Sequence, residues 1–539
     1  MNRKVIECLI LLFSFLFVFI ILIHSNSMKY NDLIIDDVKW NKIVSTRQET
    51  DTSLIKKLNF NGYDLLLDNN KEWFYSIVEN QDNQYNPLIK YETDDNVKIA
   101  ILNKKISDEL ILDNDDIKLI AYNDKFYIIY TIKCTTLPIM NISYDNNAEF
   151  LEDTDTNVNM YLFDNRENSF QRVIKSDGKV HIRGRMSKLF EKKSFKLSLV
   201  TYSVGNHERN NNLSLLGMRQ DDDWILDAMY SDQEKVRNAY SANLWTNCCS
   251  KNNMFNIDNG VEYHYIELFL NNNYWGIYTL GFPVDEKILK LKNSNSEHND
   301  DEYVFKKFEG GYSEVEILTN DTKEMGGYRL VSKNLNSEAG WTKLKEYYKM
   351  MQSSNNIEEL YQISDINNVI DVYLFLQYIY AVDNFSENSI NNMYITFKNM
   401  NNNSIALYTP WDLDLSFGNI YSEYEKNYVM MYKVPYNTYR PSNMFPIYFI
   451  QQLGDNNINK LIRERYNELR KTYWSVENIN KMIDEYEDYI YNSGAFLRDK
   501  DKWPDGSHNN EKVKLGDFRK YALNRLEFMD NYIYSLHIN

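Results

Sequence analysis

The sequence predicts an α+β protein, in which a β-rich front part is followed by a mostly helical back part. Two observations support this prediction. Runs of β-branched and aromatic residues, separated by Asn and Asp turns, recur between about residue 96 and residue 200. From residue 341 onward, apolar residues instead recur at helical spacing. The chain therefore changes from strands to helices along its length.

The composition favours a folded protein and argues against several functional classes. The 539 residues suffice for two or three domains, and 43% hydrophobic content is too high for a largely disordered chain. A net charge of −17 argues against a nucleic-acid partner, because phosphate neutralisation needs clustered Lys and Arg. No H-E-x-x-H or G-x-S-x-G motif is present, which argues against zinc proteases and serine hydrolases. Spacings typical of zinc sites or disulfide frameworks are absent among Cys8, Cys134, Cys248 and Cys249.

The first predicted element is an apolar stretch, Val5–Ile23, which as a helix would span about 28 Å, close to a bilayer core. Arg3 and Lys4 favour a cytoplasmic N-terminus. We therefore expect residues 1–27 to form an uncleaved, single-pass signal-anchor, with the bulk of the chain outside the cytoplasm. A cleaved signal peptide is the alternative, although its apolar region is usually shorter and an A-x-A-like site follows it.

The next elements are strands, for which no chemistry is predicted. Residues 28–135 form a small β-rich region with strands at NVKIAIL, KLIAYN and KFYIIYTIKC. A second β-rich segment covers about 137–200, and its strands are LPIMNISYD, VNMYLFD, GKVHIRGRM and KKSFKLSLV. An amphipathic helix is predicted at Asp232–Trp245, and a β-hairpin that turns at Asn271–Asn273 follows it.

The back part begins with residues 286–335, which are polar and predicted to be irregular. Helices follow at WTKLKEYYKMM, DVYLFLQYIYAV, NKLIRERYNELRKTYW and INKMIDEYEDYIY. We therefore expect one domain over 136–539, with a front lobe at about 136–285 and a back lobe at about 286–539.

The first candidate for chemistry is the stretch VHIRGRMSKLFEKKSFKLSLV. A strand ends at Arg183, Gly184 allows a tight turn, and a basic strand returns. Glycine lets backbone N–H groups approach phosphate oxygens, and a lysine on the returning strand can neutralise phosphate charge. The alternative is an ordinary solvated surface hairpin.

The second candidate is Asp383, which ends a hydrophobic helix over 371–382 and precedes an amide-rich loop and a strand at Met393–Phe397. An aspartate in this position suits a catalytic base or a metal ligand. The alternative is that its carboxylate caps local backbone amides, as Asp and Asn often do.

The third candidate is PWDLDLSFGN. Alternation places Asp412 and Asp414 on one face of a predicted strand, and the apolar residues Trp411, Leu413 and Leu415 on the other. Two carboxylates on one face repel each other unless a cation compensates them, which favours a hard divalent metal ion. A turn at Phe417–Gly418 is expected to aim the pair. Phosphoryl transfer from ATP requires the parts found here in order: a phosphate cover, a lysine, a base, an amide and a metal carboxylate.

These segments resemble, in order, the motifs of the CotH family of atypical, spore-coat-type protein kinases, over about residues 137–535. The matching stretches are LPIMNISYD, IRGRMSKLFEKKSFKLSL, LLGMRQDDDWILDAMYSDQEKVRN, NNNYWGIY, PWDLDLSFGN and LRDKDKWP. The resemblance implies a two-lobed, kinase-like fold with a β-rich N-lobe and a helical C-lobe. It implies a bacterial, metal-dependent transferase that moves the γ-phosphoryl group of ATP, with Mg²⁺ or Mn²⁺, to Ser or Thr of a coat, secreted or cell-surface protein.

The resemblance also implies roles for individual residues. Arg183, Ser187 and Lys193 would belong to the nucleotide-phosphate region, and Lys196 competes with Lys193 as the phosphate lysine. Arg237 would be either structural or phosphate-facing.

On the other side of the implied site, Asp383 would be the base or would orient the substrate hydroxyl. The amide metal ligand would be Asn392, with Asn388 as the second choice and Asn391 as a further neighbour. Asp412 and Asp414 would bind the metal, and Asp412 would bridge it to the phosphates.

The chain departs from the family pattern at three places, one of which is the loop FSENSINN, which is longer than expected between Asp383 and the amide ligand. Phe282 stands where the hairpin strand of this family usually reaches a glutamate, and Arg185 lies in the Gly184 loop. Two alternatives to the kinase therefore stay open. One is a catalytically inactive assembly or binding protein at a membrane or spore surface, and the other is a different nucleotide-dependent transferase, such as one that transfers AMP.

Overall fold

The structure is a computed structural model. It describes residues 27–536 apart from 82–83, 94–95, 153, 185–186, 204–206, 293–301, 309–323, 326, 333–336, 356, 387–388, 402, 422–428, 431, 440–441 and 443–444. The predicted anchor, Val5–Ile23, and the second-choice amide, Asn388, lie outside these residues. Among the residues described, no helix is both long and apolar enough to cross a bilayer.

The fold combines sheets and helices, as predicted. The first part of the chain contributes eleven of the described strands: β1 Met28–Lys29, β2 Ile34–Ile35, β3 Gln48–Glu49, β4 Ile55–Phe60, β5 Tyr63–Asp64, β6 Leu66–Leu67, β7 Glu72–Ser76, β8 Leu88–Thr93, β9 Lys98–Leu102, β10 Ile117–Tyr122 and β11 Phe126–Thr135. Helices α1 Asp37–Ser45 and α2 Asp108–Leu112 lie between them. The strands form one sheet in the order β1-β8-β4-β5 and another in the order β2-β9-β10-β11-β7-β6, with β3 paired to β11.

A larger sheet, here called the central sheet, follows in the order β14-β13-β12-β20-β21-β19-β15-β16, and β14 also pairs with β15. The strands of this part are β12 Ile139–Ser143, β13 Thr156–Phe163, β14 Val173–Arg183, β15 Ser194–Ser203, β16 His207–Asn210, β17 Leu213–Ser214, β18 Gln220–Asp221, β19 Asp223–Asp227, β20 Tyr263–Leu270 and β21 Asn273–Gly281. Helix α3, Arg237–Cys248, lies between β19 and β20.

The last part adds a five-stranded sheet, here called the cleft sheet, in the order β23-β24-β22-β27-β28. Its strands, with the short pairs beside them, are β22 Tyr303–Lys307, β23 Glu324–Met325, β24 Tyr328–Leu330, β25 Phe385–Ser386, β26 Ser389–Ile390, β27 Met393–Met400, β28 Asn403–Pro410, β29 Ile420–Tyr421 and β30 Val429–Met430. The helices are α4 Ser337–Ser353, α5 Ile357–Ile363, α6 Ile366–Ile379, α7 Pro446–Gln452, α8 Asn456–Lys471, α9 Val476–Glu487, α10 Ala495–Lys502 and α11 Gly516–Ser535.

One hydrophobic core runs from the central sheet through α3 and the cleft sheet to α11, while most of the first part has a core of its own. A smaller cluster joins the two, because Phe74 of β7 packs against Phe269 and Tyr274 of the central hairpin. The site described below therefore rests on a continuous packed scaffold.

Three predictions about elements are wrong. The helix predicted from Asp232 begins at Arg237, because Lys235 adopts a left-handed conformation (φ 58°) and the Asp232 carboxylate accepts the N–H groups of Val236 and Arg237. The segment 286–335, predicted to be irregular, contains β22, β23 and β24. The strand predicted to carry the two aspartates ends before them, because β28 stops at Pro410 and Asp412 is left-handed (φ 57°).

Candidate active site

Helix α6 is buried in the core, and the chain that follows it brings Asp383 to the protein surface. From Asn368 to Ile379 every residue of this helix is buried, and the helix ends at Tyr380, which adopts the left-handed conformation typical of a C-terminal cap. Asp383 follows three residues later and is exposed. Its Oδ2 accepts a hydrogen bond of 2.5 Å from Nδ2 of Asn392. The structure therefore brings the predicted base and the predicted amide ligand into direct contact.

A second amide, Asn384, fastens this loop to the end of β28. The Nδ2 atom of Asn384 donates to the carbonyl oxygens of Asn392 and Trp411, each at 2.9 Å. The N–H of Trp411 in turn donates to the carbonyl of Asn392 at 2.9 Å. Asp412 comes directly after this junction, so the two sequence-distant acidic segments share one site.

The two aspartates of PWDLDLSFGN lie on an irregular segment rather than a strand. Trp411, Leu413 and Leu415 are buried as predicted, whereas Asp412 is exposed and Asp414 is half-buried. Burial raises the pKa of Asp412, and nearby Asp227 acts in the same direction. An exposed carboxylate that is nevertheless closely surrounded by protein atoms indicates a concave part of the surface, here called the cleft, with Asp412 at its floor.

Repulsion among carboxylates is strongest at Asp414. Burial raises its pKa well above the ordinary value, and Asp412, Asp227 and Asp383 raise it further, in that order. At Asp412, Lys306 and Arg183 oppose the increase in pKa. The carboxylates therefore form a concentrated negative charge that a cation would stabilise.

Sequence reasoning missed two residues that hold this segment in place. Asp227 ends β19, and Asn238 lies in the first turn of α3. Nδ2 of Asn238 donates to Oδ2 of Asp227 at 2.8 Å, while its Oδ1 accepts the N–H of Leu413 at 3.1 Å. Both residues occur in the motif LLGMRQDDDWILDAMYSDQEKVRN, so the resemblance contained the signal although neither was assigned a role.

The predicted turn at Phe417–Gly418 is confirmed, since both residues are left-handed (φ 45° and 93°). The N–H of Phe417 donates to the carbonyl of Ile379 at 2.7 Å, which ties the turn to the end of α6. A Cβ atom on Gly418 would lie 2.8 Å from the ring of Tyr521, so only glycine fits there without displacement.

The predicted phosphate residues have different surroundings. The guanidinium of Arg183, at the end of β14, lies 5.9 Å from the centroid of the Trp411 ring and so borders the cleft. Ser187 donates to the carbonyl of Arg183 at 3.5 Å within the Gly184 turn. Nζ of Lys193 donates to the carbonyl of Lys188 at 2.8 Å, and Nζ of Lys196 pairs with Asp223 at 3.1 Å.

Arg237 has a structural position. Its side chain is fully buried and makes ion pairs of 2.7 Å with Asp232 and with Glu234. It also lies over the rings of Tyr432 and Phe518, at 5.4 and 5.5 Å. Of the two roles left open by the sequence, the structure favours the structural one.

Arg498 and Asp499 of the late motif LRDKDKWP are also buried. Arg498 forms a bidentate salt bridge with Glu267 and also donates to the carbonyl of Cys134. These bonds link α10 to β20 and β11. Asp499 accepts a hydrogen bond of 2.6 Å from Nζ of Lys192, and both side chains are buried. The positive charges of Lys192 and Lys235 hold the pKa of Asp499 well below its usual range despite its burial. Phe282, at the position of the family's usual glutamate, is buried beneath the guanidinium of Arg219.

No group of three or more His, Cys, Asp and Glu side chains in the described part of the chain is arranged to hold a metal ion. The oxygen-rich set of Asp412, Asp414 and Asn392 nevertheless fits Mg²⁺ or Mn²⁺ chemically. Mg²⁺ typically uses one or two protein carboxylates and completes its octahedron with waters and substrate phosphates. Three protein acids are therefore not required.

Comparison with known families assigns the chain. The profile of the family described as CotH kinase protein matches residues 180–529, more than half of the chain. The chain therefore belongs to the CotH kinase protein family. The matched range includes Arg183, Asp383 and both aspartates of the cleft floor. A search of curated proteins found no match.

Proposed function

We propose that this protein is a metal-dependent kinase that transfers the γ-phosphoryl group of ATP to Ser or Thr hydroxyls of a coat, secreted or cell-surface protein. On this proposal, the central sheet belongs to an N-lobe, the helical part to a C-lobe, and the cleft between them holds the nucleotide. Membership of the CotH kinase protein family supports the reaction class.

One observation carries the proposal: the end of α6 and the end of β28 are fastened together through Asn384. This junction brings the exposed carboxylate of Asp383 close to the segment of Asp412 and Asp414, and Asp383 helps to raise the pKa of Asp414. A phosphotransferase needs such a pairing, because one carboxylate orients the acceptor hydroxyl while others hold the metal that binds the phosphates.

In this proposal Asp412 and Asp414 would hold Mg²⁺ or Mn²⁺. When bound, the ion would neutralise negative charge that develops on the transferred group. Asn392 suits the site as an amide ligand because its Nδ2 is used by Asp383, while its Oδ1 makes no hydrogen bond to the described residues. The ion would also remove the repulsion that raises the pKa of Asp414.

Asp383 would accept the proton of the substrate hydroxyl. It is exposed, so an incoming side chain can reach it, and the hydrogen bond from Asn392 fixes one of its two oxygens. This hydrogen bond restricts the orientation of the carboxylate, which is the contribution that a positioned carboxylate would make to phosphoryl transfer.

The test is phosphoryl transfer by the purified full chain with γ-labelled ATP, Mg²⁺ or Mn²⁺ and a generic Ser/Thr-rich protein. We expect label on the substrate or on the chain itself, loss of label with EDTA, and a loss of about 100-fold or more in D383N and D412N. The matched control is D484N, which removes an exposed carboxylate on α9.

Transfer of label from α-labelled but not γ-labelled ATP would instead identify AMP transfer. If neither label is transferred and D412N matches the unmodified protein in every assay, the kinase proposal fails in favour of an assembly or binding role.

We also propose that the catalytic part faces outside the cytoplasm on a membrane anchor, as the apolar stretch Val5–Ile23 suggests. Protease added to intact cells should then degrade the catalytic part. Protection until the membrane is broken would contradict this topology.

A further inference from the structure

We propose that a cavity between the first part of the chain, the central sheet and α9 binds a ligand with two or more aliphatic ammonium groups. Such a ligand is either a free polyamine or a set of neighbouring lysine side chains. The cavity has a volume of about 510 Å³, which is within the range typical of small-molecule sites. This inference goes beyond the proposed function, because binding in the cavity requires neither nucleotide nor metal.

Carboxylates from three parts of the chain line the cavity. Glu79 follows β7, Glu262 directly precedes β20, and Glu485 lies on α9. Among the described residues, the carboxylates of Glu262 and Glu485 form no hydrogen bond or ion pair, and that of Glu79 accepts a backbone N–H at 3.0 Å. Glu262 is half-buried, and burial raises its pKa. The cavity therefore carries negative charge that favours a cationic ligand.

The basic residues of the described lining do not offset this charge. Arg166 donates to both carboxylate oxygens of Asp164, at 2.9 and 2.7 Å, so its charge is already compensated. Burial, reinforced by Arg166, lowers the pKa of His264 to about 4, so its ring is neutral at pH 7. The net charge of the lining is therefore negative.

A buried amide acceptor also lines the cavity. Asn165 is fully buried, and its Nδ2 donates to the carbonyls of Ile77 and Thr136, each at 2.8 Å. Because both partners are acceptors, the amide is fixed with Nδ2 towards them. Its Oδ1 has no hydrogen-bond partner among the described residues. An unpaired buried acceptor costs free energy, so a ligand that donates an N–H is favoured here.

The spread of the acids identifies the class of cation. In the described ranges, no three acidic or other metal-ligating side chains converge closely enough to hold a metal ion. The lining also contains apolar and aromatic side chains, namely Leu137, Leu216, Met482, Tyr265, Tyr486 and Tyr489. Aliphatic chains with separated ammonium groups match this combination, because their methylene groups contact apolar surface while their charges reach separate carboxylates.

The tyrosines offer a further contact for an ammonium group. Tyr265 packs edge-on against Tyr486 and stacks with Tyr489, with ring centroids 5.7 and 5.9 Å apart. Burial raises the pKa of Tyr489, and the charges of Glu485 and Glu79 raise it further, so both carboxylates lie near this ring. An ammonium group between these acids would gain cation–π attraction as well as charge pairing.

The experiment measures binding to the full chain by calorimetry at about 0.15 M salt, where exposed charges more than about 8 Å apart are largely screened. The ligands are spermidine, spermidine acetylated at both ends, and the peptide trilysine. We expect spermidine to bind, and the acetylated form, which lacks both terminal charges, to bind at least about tenfold more weakly. Binding of both spermidine and trilysine would assign the cavity to ammonium chains as such, and binding of trilysine alone to lysine side chains.

Two variants test the assignment of the ligand to this cavity. E262Q keeps the shape of the side chain and should weaken binding of spermidine or trilysine by about tenfold. E485Q changes an exposed residue, should weaken binding by about threefold, and tests the cavity even if E262Q folds poorly. The matched control is D484N, because Asp484 is the neighbouring acid on α9 but pairs with Arg519 and does not line the cavity. Its affinities should equal those of the unmodified protein.

Three outcomes would overturn the inference: no binding of spermidine or trilysine, unchanged affinities in folded E262Q and E485Q, or a larger loss in D412N than in either. The last result would place the ligand on the acidic floor of the cleft instead. A chain that binds spermidine through Glu262 but transfers no label would refute only the proposed kinase activity.

Discussion

Asn238 joins Asp227 to the backbone of Leu413, the residue between the two aspartates of the cleft floor. Its Nδ2 donates to the Asp227 carboxylate at 2.8 Å, and its Oδ1 accepts the Leu413 N–H at 3.1 Å. A single side chain therefore couples the end of β19 in the central sheet to the segment that carries Asp412 and Asp414.

From this coupling we expect N238A to reduce phosphoryl transfer by about 100-fold, because small displacements of reacting groups have large kinetic costs. The loss of stability should be modest, about 1–2 kcal/mol, as for two hydrogen bonds. The matched control is N243A on the same helix, where Asn243 bonds Tyr263 and Tyr486 rather than the cleft floor. Equal kinetic losses in both variants, measured as kcat at saturating Mg²⁺, would contradict a positioning role for Asn238.

The repulsion at Asp414 predicts opposite effects on stability and activity. In the absence of metal, D414N should stabilise the protein by about 1 kcal/mol, because it removes a carboxylate whose pKa is raised by burial and by Asp412 and Asp227. The same variant should transfer little phosphate. Urea unfolding in EDTA measures the first effect, and a destabilised D414N protein would show that Asp414 is already compensated without metal.

The Arg498–Glu267 pair predicts a large structural effect far from the cleft floor. Both side chains are buried, and two of their atom pairs lie at 2.5 and 3.0 Å. E267A should cost about 3–5 kcal/mol in the free energy of unfolding, because it leaves a buried guanidinium without its carboxylate. The exposed pair Lys460–Glu464 is the control, and E464A should change stability by less than about 0.5 kcal/mol. A small effect of E267A in urea unfolding would mean that the backbone carbonyls bonded to Arg498 are enough to stabilise its buried charge.

His264 predicts a pH dependence of stability. Burial, reinforced by Arg166 and opposed by Asp164, lowers its pKa to about 4. Between this value and about 6.5 the unfolded chain binds the proton more tightly, so stability falls as the pH falls. We expect this residue to account for about 2 kcal/mol of lost stability between pH 7.5 and pH 5.

H264Q should flatten that part of the stability profile, measured by urea unfolding at several pH values. The control is H207Q, which replaces an exposed histidine on β16. The account of His264 fails if both variants keep the slope of the unmodified protein.

Local patterns predicted the elements that determine much of the site. The long apolar run before Asp383 has helical spacing, so α6 was predictable, although it covers Ile366–Ile379 rather than the predicted 371–382 because Tyr380 is left-handed. The hairpin of β20 and β21 and the turn at Phe417–Gly418 were predictable as well. The alternation W-D-L-D-L correctly predicted which side chains are buried. The alternation did not predict the left-handed conformation of Asp412. The residues on either side of Asp412 are held by partners that are distant in the sequence, because Asn384 donates to the carbonyl of Trp411 and the N–H of Leu413 donates to Asn238.

The position of Lys306 beside Trp411 could not be predicted from local pattern. Lys306 lies on a five-residue strand beside a polar segment, and its neighbour across the sheet, Tyr394, is far away in the sequence. The convergence of Lys306 and Arg183 on Trp411 likewise depends on tertiary packing. Sequence reasoning instead directed attention to Lys193 and Lys196, which are close to the glycine turn in the chain.

The central claim is that the acidic floor, with Arg183 beside it, forms one nucleotide–metal site. The most direct test is a crystal structure of the full chain with a non-hydrolysable ATP analogue and Mn²⁺, in which anomalous scattering locates the metal. We predict a metal bonded to Asp412 or Asp414 at roughly 2.1 Å, with the phosphates of the nucleotide on the side of Arg183. A nucleotide and metal bound elsewhere, for example in the cavity beside His264 and Tyr486, would contradict the claim.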